Sequence, residues 1–143
     1  MPKVLVCDKL DEEGINLLRA AGFDVDVKLD HTPDALKAMV KDADAVIVRS
    51  RTKITRDVIA AMDRTRVIAR AGVGLDNIDV KSASEKGIYV VNSPTGTTRS
   101  VAELTFALMF ALARKIHIAD RTMRQGEWAK KKLKGIEPVS YTH

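Results

Sequence analysis

The chain has 143 residues, with 24 basic and 19 acidic side chains for a net charge of +5, 45% apolar residues, 4% aromatics and one cysteine. That is enough for one core-forming domain, and a composition this ordinary excludes wholesale disorder. The single cysteine excludes a disulfide framework and a multi-cysteine zinc site, and no apolar run reaches the ~18 residues of a spanning helix.

The opening Met1-Pro2-Lys3-Val4-Leu5-Val6-Cys7-Asp8 breaks its apolar run after four residues. A signal peptide needs a longer one, so a cytoplasmic location is expected. Short β-branched runs then alternate with helical patterns. Residues 3–7 predict a strand, and 11–21 a helix stopped by Gly22. Residues 23–27 predict a second strand. Thr32-Pro33-Asp34 opens a second helix, with Thr32 as N-cap and Pro33 at the first helical position. Strands follow at 45–49, 66–70 and 88–91, and helices at 55–61 and 79–86, the last ended by Gly87. This alternation implies a parallel sheet wrapped by helices, in the flavodoxin-like order 2-1-3-4-5. The fold class is therefore α/β.

The pattern then changes. Ser100-Val101-Ala102-Glu103 has the spacing of a capping box and is expected to start the next helix. From 101 to 113 nearly every side chain is apolar, which predicts a helix covered on all sides. One small domain cannot surround it, so it is expected to protrude and pack on another domain or subunit. His117 is read as part of that buried helix, in a structural role. A further helix is predicted at 118–125, ending at Gly126. Residues 114–134 carry eight basic and two acidic side chains, so the positive charge is local. Trp128 is the only aromatic near them, too little for a single-strand binding platform. No nucleic-acid or membrane partner is expected.

Three loops carry polar chemistry. Arg49-Ser50-Arg51-Thr52 follows the third strand, where open α/β sheets bind ligands, and suits a phosphate or carboxylate. A solvated charged loop is the plainer alternative. Arg70-Ala71-Gly72-Val73-Gly74 follows the fourth strand, and its glycines let backbone N–H groups point at an anion. From two glycines alone, a plain tight turn with no ligand is the favoured alternative. A dinucleotide fingerprint needs a third glycine at position 77, which is Asn77. Asn92-Ser93-Pro94-Thr95-Gly96 follows the fifth strand and reads as a connector on composition. A phosphoacceptor receiver would need Asp at the end of the third strand, where this chain has Arg49. Cys7 reads as an inert core thiol, and His31, His117 and His143 have no metal spacing.

In order along the chain stand Arg49-Ser50-x-Thr52, Ala69-Arg70-Ala71-Gly72-Val73-Gly74-Leu75-Asp76-Asn77-Ile78-Asp79, Asn92-Ser93-Pro94-x-Gly96 and Ser100-Val101-Ala102-Glu103-Leu104. Together with Val4-Leu5-Val6-Cys7-Asp8 and Gly126-x-Trp128, they resemble the amino-terminal part of the D-3-phosphoglycerate dehydrogenases. These belong to the D-isomer-specific 2-hydroxyacid dehydrogenases, and the resemblance spans 3–137. It implies a substrate-binding domain at 1–98 and interdomain and dimerisation helices at 99–137. It also implies NAD as the cofactor of an intact enzyme that oxidises 3-phosphoglycerate in serine biosynthesis. Arg49, Ser50, Arg70, Gly72, Val73 and Gly74 fall at substrate-contact positions, and Lys130 matches a substrate-binding basic residue that in some members reaches the neighbouring subunit's active site. Val73 and Thr97 fall near the cofactor, Thr97 where the family usually has Asn. The apolar helix at 100–116 matches the dimer-forming helix.

After Leu133-Lys134-Gly135-Ile136-Glu137 the family continues into a Gly-x-Gly-x-x-Gly turn, whereas this chain reads Pro138-Val139-Ser140-Tyr141-Thr142-His143. Residues 138–143 therefore look like a foreign tail. The NAD domain and catalytic residues are expected to be absent, with neither turnover nor bound cofactor from this chain alone. The alternative reading is a stand-alone anion-binding or protein-interaction module of the same fold.

Overall fold

Strands and crossover helices alternate through residues 3–92 of the computed structural model, which describes residues 1–138. In chain order they are β1 (Lys3–Val6), α1 (Glu12–Ala20), β2 (Asp24–Val27), α2 (Pro33–Met39), β3 (Ala45–Val48), α3 (Arg56–Ala60), β4 (Val67–Arg70), α4 (Val80–Glu85) and β5 (Tyr89–Asn92). A short 3₁₀ turn, Val40–Asp42, precedes β3. Every strand pair is parallel and the order is β2-β1-β3-β4-β5, as the alternation predicts.

The helix ends follow from local chemistry. Asp11 caps α1 by accepting the Glu13 N–H at 3.1 Å, and Gly22 ends it at φ 85°, a left-handed conformation that glycine adopts without a Cβ penalty. Thr32 caps α2 by accepting the Ala35 N–H at 3.2 Å, with Pro33 in the first turn. Asp79 caps α4 through the Ser82 N–H at 2.9 Å. The backbone N–H and the hydroxyl of Ser82, both donating to Asp79, hold its carboxyl below the usual carboxylate range.

Leu5, Val46, Val48 and Ile68 of the sheet pack with Leu36, Val40, Val58, Ile59 and Met62 to form the core. Strands covered on both faces read as apolar runs, which is why β1 and β3 carry so few polar residues. Cys7 lies fully buried just past β1, and that burial pushes its thiol up to about 12. The core-thiol reading agrees with this. The strands end nearly level, with Val6 beside Ile47 and Val48 beside Arg70, itself beside Asn92. Asp8, Arg49, Ala71 and Ser93 therefore emerge at one carboxyl edge.

The chain divides into two compact units, Met1–Gly96 and Thr97–His143. The second contains α5 (Thr98–Ala113), α6 (Ile116–Arg124) and a 3₁₀ turn, Lys130–Lys132. Two expectations fail here. The Ser100 capping box does not form, because the helical ladder has already begun: Thr97 O accepts the Val101 N–H at 2.9 Å, and Ser100 lies inside the helix. His117 is not in the apolar helix. Lys115 takes a left-handed turn at φ 54° that ends α5, so His117 falls in α6 and is exposed. No residue of α5 is buried, and Leu104, Phe106, Leu108 and Leu112 are more than half exposed. Within this unit Ile136 returns to donate to Ala113 O at 3.0 Å, beside an apolar cavity of 910 Å³ lined by Met109, Leu112 and Ile136. Among the described residues no helix is long and apolar enough to cross a membrane. Residues 139–143, most of the expected foreign tail, lie outside the described residues.

Candidate anion-binding site

The carboxyl edge of the sheet brings together Arg49, Ser50, Arg70, Gly72, Val73 and Gly74, all in the first unit. Ala71 donates to Val48 O at 2.8 Å, which holds the Gly72 loop against the end of β3. On the other side Ser93 donates to Gly72 O at 3.0 Å, and Asn92 Nδ2 to Val73 O at 2.6 Å. The connector after β5 is thus the outer brace of the glycine loop.

The two arginines after β3 have different surroundings. Arg51 folds inward: its Nε donates to Asp8 Oδ1 at 3.1 Å, and its Nη2 to the carbonyls of Cys7 and Leu29. Arg49 points outward, giving one bond at 3.3 Å to Lys9 O and lining a cavity of 430 Å³ with Lys9, Leu10 and Asp11. Ser50 is exposed beside it, whereas Thr52 is buried. Arg51 nevertheless keeps 58% of its side chain exposed and, with His31 and Thr52, lines a cavity of 430 Å³ of its own.

Asp8 organises the other half. It is 3% exposed, and its Oδ2 accepts the N–H groups of Arg49 at 2.6 Å and Thr52 at 3.2 Å. Its Oδ1 accepts the Thr52 hydroxyl at 2.9 Å as well as Arg51. Burial alone would raise this carboxyl. The bonds from Arg49, Thr52 and Arg51 outweigh burial and hold it below the usual carboxylate range. His31 Nε2 completes the cluster, 3.2 Å from the Thr52 hydroxyl.

The glycine loop is shaped by what surrounds it. A Cβ on Gly72 would collide with the Arg70 guanidinium, and one on Gly74 would sit 2.8 Å from Asp76 Oδ1. Gly72 spends its own N–H on Arg70 O at 2.8 Å. Among the described residues the N–H groups of Val73 and Gly74 have no protein acceptor, so two of the three expected backbone donors are free. Arg70 Nε is buried there without a partner.

This turn does not fit a dinucleotide pyrophosphate. The side chain at the third-glycine position, Asn77, is spent on the 49–52 loop, donating to Arg49 O and Thr52 O at 2.7 Å each. The helix that follows, α4, has only six residues. Thr97 and Lys130 lie in the second unit, Thr97 just before α5 and Lys130 at the start of a 3₁₀ turn, both exposed. Sequence reasoning quoted Asp8 and Asn77 within motifs but gave neither a task. The usable signal was a lone Asp closing an apolar strand, beside an Asn that breaks a glycine pattern.

A parallel sheet in the order β2-β1-β3-β4-β5, with arginine- and glycine-bearing loops at its carboxyl edge, defines a class, and comparison with known proteins narrows it. Residues 4–142 match the family D-isomer specific 2-hydroxyacid dehydrogenase, catalytic domain, and the chain belongs to that family. Over 137 residues, 96% of the chain, it is 51% identical to the D-3-phosphoglycerate dehydrogenase of Methanocaldococcus jannaschii, and covers 26% of that protein. The chain thus spans about a quarter of the length of such curated relatives. Among solved structures it is similar to the PH0520 protein of Pyrococcus horikoshii OT3 (39% identity, TM-score 0.77, 96% of this chain and 42% of that one). It is also similar to the NAD⁺-bound 3-phosphoglycerate dehydrogenase of Entamoeba histolytica (33% identity, TM-score 0.70, 80% and 40%).

Proposed function

We propose that these 143 residues form the substrate-binding part of an NAD-dependent D-3-phosphoglycerate dehydrogenase. The observation that carries this is the pairing of an outward Arg49 with the acceptor-free Val73 and Gly74 N–H groups on adjacent loops. A guanidinium and backbone donors together suit a small acid bearing a carboxylate and a phosphate. Arg49, Ser50, Arg70 and the 72–74 backbone hold the substrate in this reading. Val73 is the residue of this unit that meets the cofactor of the intact enzyme.

Oxidising a 2-hydroxyacid requires a nicotinamide held against C2 and a base for the hydroxyl proton. We assign both to sequence outside this chain, since these residues lack a Gly-x-Gly-x-x-Gly turn and the chain spans a quarter of its relatives. By itself the chain binds substrate weakly and turns nothing over. The apolar α5 pairs two copies, supported by its sixteen residues with none buried.

Titration of the ¹⁵N-labelled chain with 3-phosphoglycerate tests the reading. The amides of residues 49, 50, 73 and 74 should shift together, with the core amides of Val46 and Ile68 unmoved. Binding without shifts in those loops, or NAD reduction by the isolated chain, would overturn it.

A further inference from the structure

Two side chains distant in sequence converge on the same two backbone units. Asp8 takes the N–H groups of Arg49 and Thr52 at 2.6 and 3.2 Å, and Asn77 gives its amide protons to the carbonyls of Arg49 and Thr52 at 2.7 Å each. The donors and acceptors of residues 49 and 52 are thus held from opposite sides, leaving Ser50 and Arg51 as the span between two fixed points. The facing carbonyls also settle the Asn77 amide: only its NH₂ end can meet two oxygen acceptors. The backbone extends the tie, with Ile54 donating to Asn77 O at 2.8 Å and Asp79 donating to Ile54 O at 2.9 Å. The same turn that carries Gly72 and Gly74 therefore supports the loop that carries Arg49.

We propose that Asp8 and Asn77 are positioning residues, which together fix the backbone of the 49–52 loop and so aim Arg49 and Ser50 at an anionic substrate. This rests on the reading that the loop receives substrate. It adds that the receiving geometry is built before binding, by side chains that never touch the ligand. Pre-organisation of this kind strengthens binding by removing the ordering cost of the loop. It also couples the two anion-binding loops, because a single residue, Asn77, belongs to one and holds the other.

The test uses the whole chain, with 3-phosphoglycerate as the probe. Asn77→Asp keeps the volume and removes both donors, and Asn77→Ala removes the side chain. Asp8→Asn probes the clamp from the other side, replacing one acceptor oxygen with an amide that faces the Arg51 donor. Each variant should bind at least tenfold more weakly than the parent while its core amide spectrum is retained. The amide peaks of Ser50 and Arg51 should broaden or move even without ligand. A merely structural Asn77 would lower the melting temperature and leave the dissociation constant of the folded chain unchanged, and that result overturns the proposal alone. Failure of the parent chain to bind removes the substrate reading and the proposal together. Should an Asn77 variant not fold, Asp8→Asn decides by the same criterion.

Discussion

The sheet of the first unit and α5 of the second are both apolar, yet they treat water in opposite ways. Val4, Leu5 and Val6 on a four-residue strand are at most 3% exposed, whereas Phe106, Leu108 and Leu112 on a sixteen-residue helix are 56–68% exposed. Burial in the first unit comes from layers: each central strand has neighbours on both sides and helices over its faces. Within the second unit, α5 has only the short α6 and a returning segment. An apolar stretch in a sequence states a demand for cover. The chain that contains it need not supply the cover. A contiguous apolar surface of this kind marks an interaction face.

The comparison breaks first under truncation. Ile68→Ala, in a fully buried position of β4, should cost about 2–5 kcal/mol, read from chemical denaturation of the whole chain. Leu108→Ala removes the same kind of side chain from α5 and should change the stability of the dilute monomer by less than about 0.5 kcal/mol. Its effect should appear in association instead, as a weaker dimer by light scattering. Equal losses from the two substitutions would mean that α5 is covered within its own chain.

What could be read from the sequence follows the same division. All five strands, their order and the cap at Thr32 were legible, because each rests on local chemistry or on the parallel-sheet rule, whereas Asp11 and Asp79 were read as helix residues and prove to be caps. The Ser100 cap was misread, since spacing alone cannot show that Thr97 has already started the helix. His117 was misplaced because the break at Lys115 is a left-handed residue that is neither glycine nor asparagine. For the site, Arg49, Ser50 and the glycine loop were legible from type and position. The split between Arg49 and Arg51 was not, because it depends on Asp8 lying 41 residues from Arg49 in sequence and in hydrogen-bond contact with it. Long-range pairings leave no periodicity behind.

Acid sharpens the contrast at the site. Asp8 is held below the ordinary carboxylate value in the folded chain, so its stabilisation is fully present above pH ~4 and lost as pH falls through the depressed value. Protonation leaves the Arg49 and Thr52 N–H groups with a poorer acceptor inside a buried cluster. Asp8→Asn should cost roughly 1–3 kcal/mol at neutral pH and flatten the acid limb of the stability curve. The second unit has no buried carboxylate among its described residues, so its helical signal should respond far less over that range. The amide peaks of α5 and α6, followed beside those of residues 49–52 from pH 7 to pH 2, separate the two. An acid limb unchanged by Asp8→Asn would assign it to other carboxylates.

The smallest effect compares two caps that look alike in sequence. Thr32 has the extended backbone of an N-cap and accepts the Ala35 N–H at 3.2 Å. Ser100 sits in the first turns of α5, past a helix start that has no side-chain cap. Thr32→Ala should therefore cost about 1 kcal/mol, the typical value of a lost cap. Ser100→Ala should cost nothing and can gain a few tenths of a kcal/mol, because alanine favours a helix interior more than serine does. Urea denaturation of the two variants reads the difference directly. A Ser100→Ala loss as large as that of Thr32→Ala would mean that α5 starts at Ser100 in solution, and that the Thr97–Val101 hydrogen bond frays.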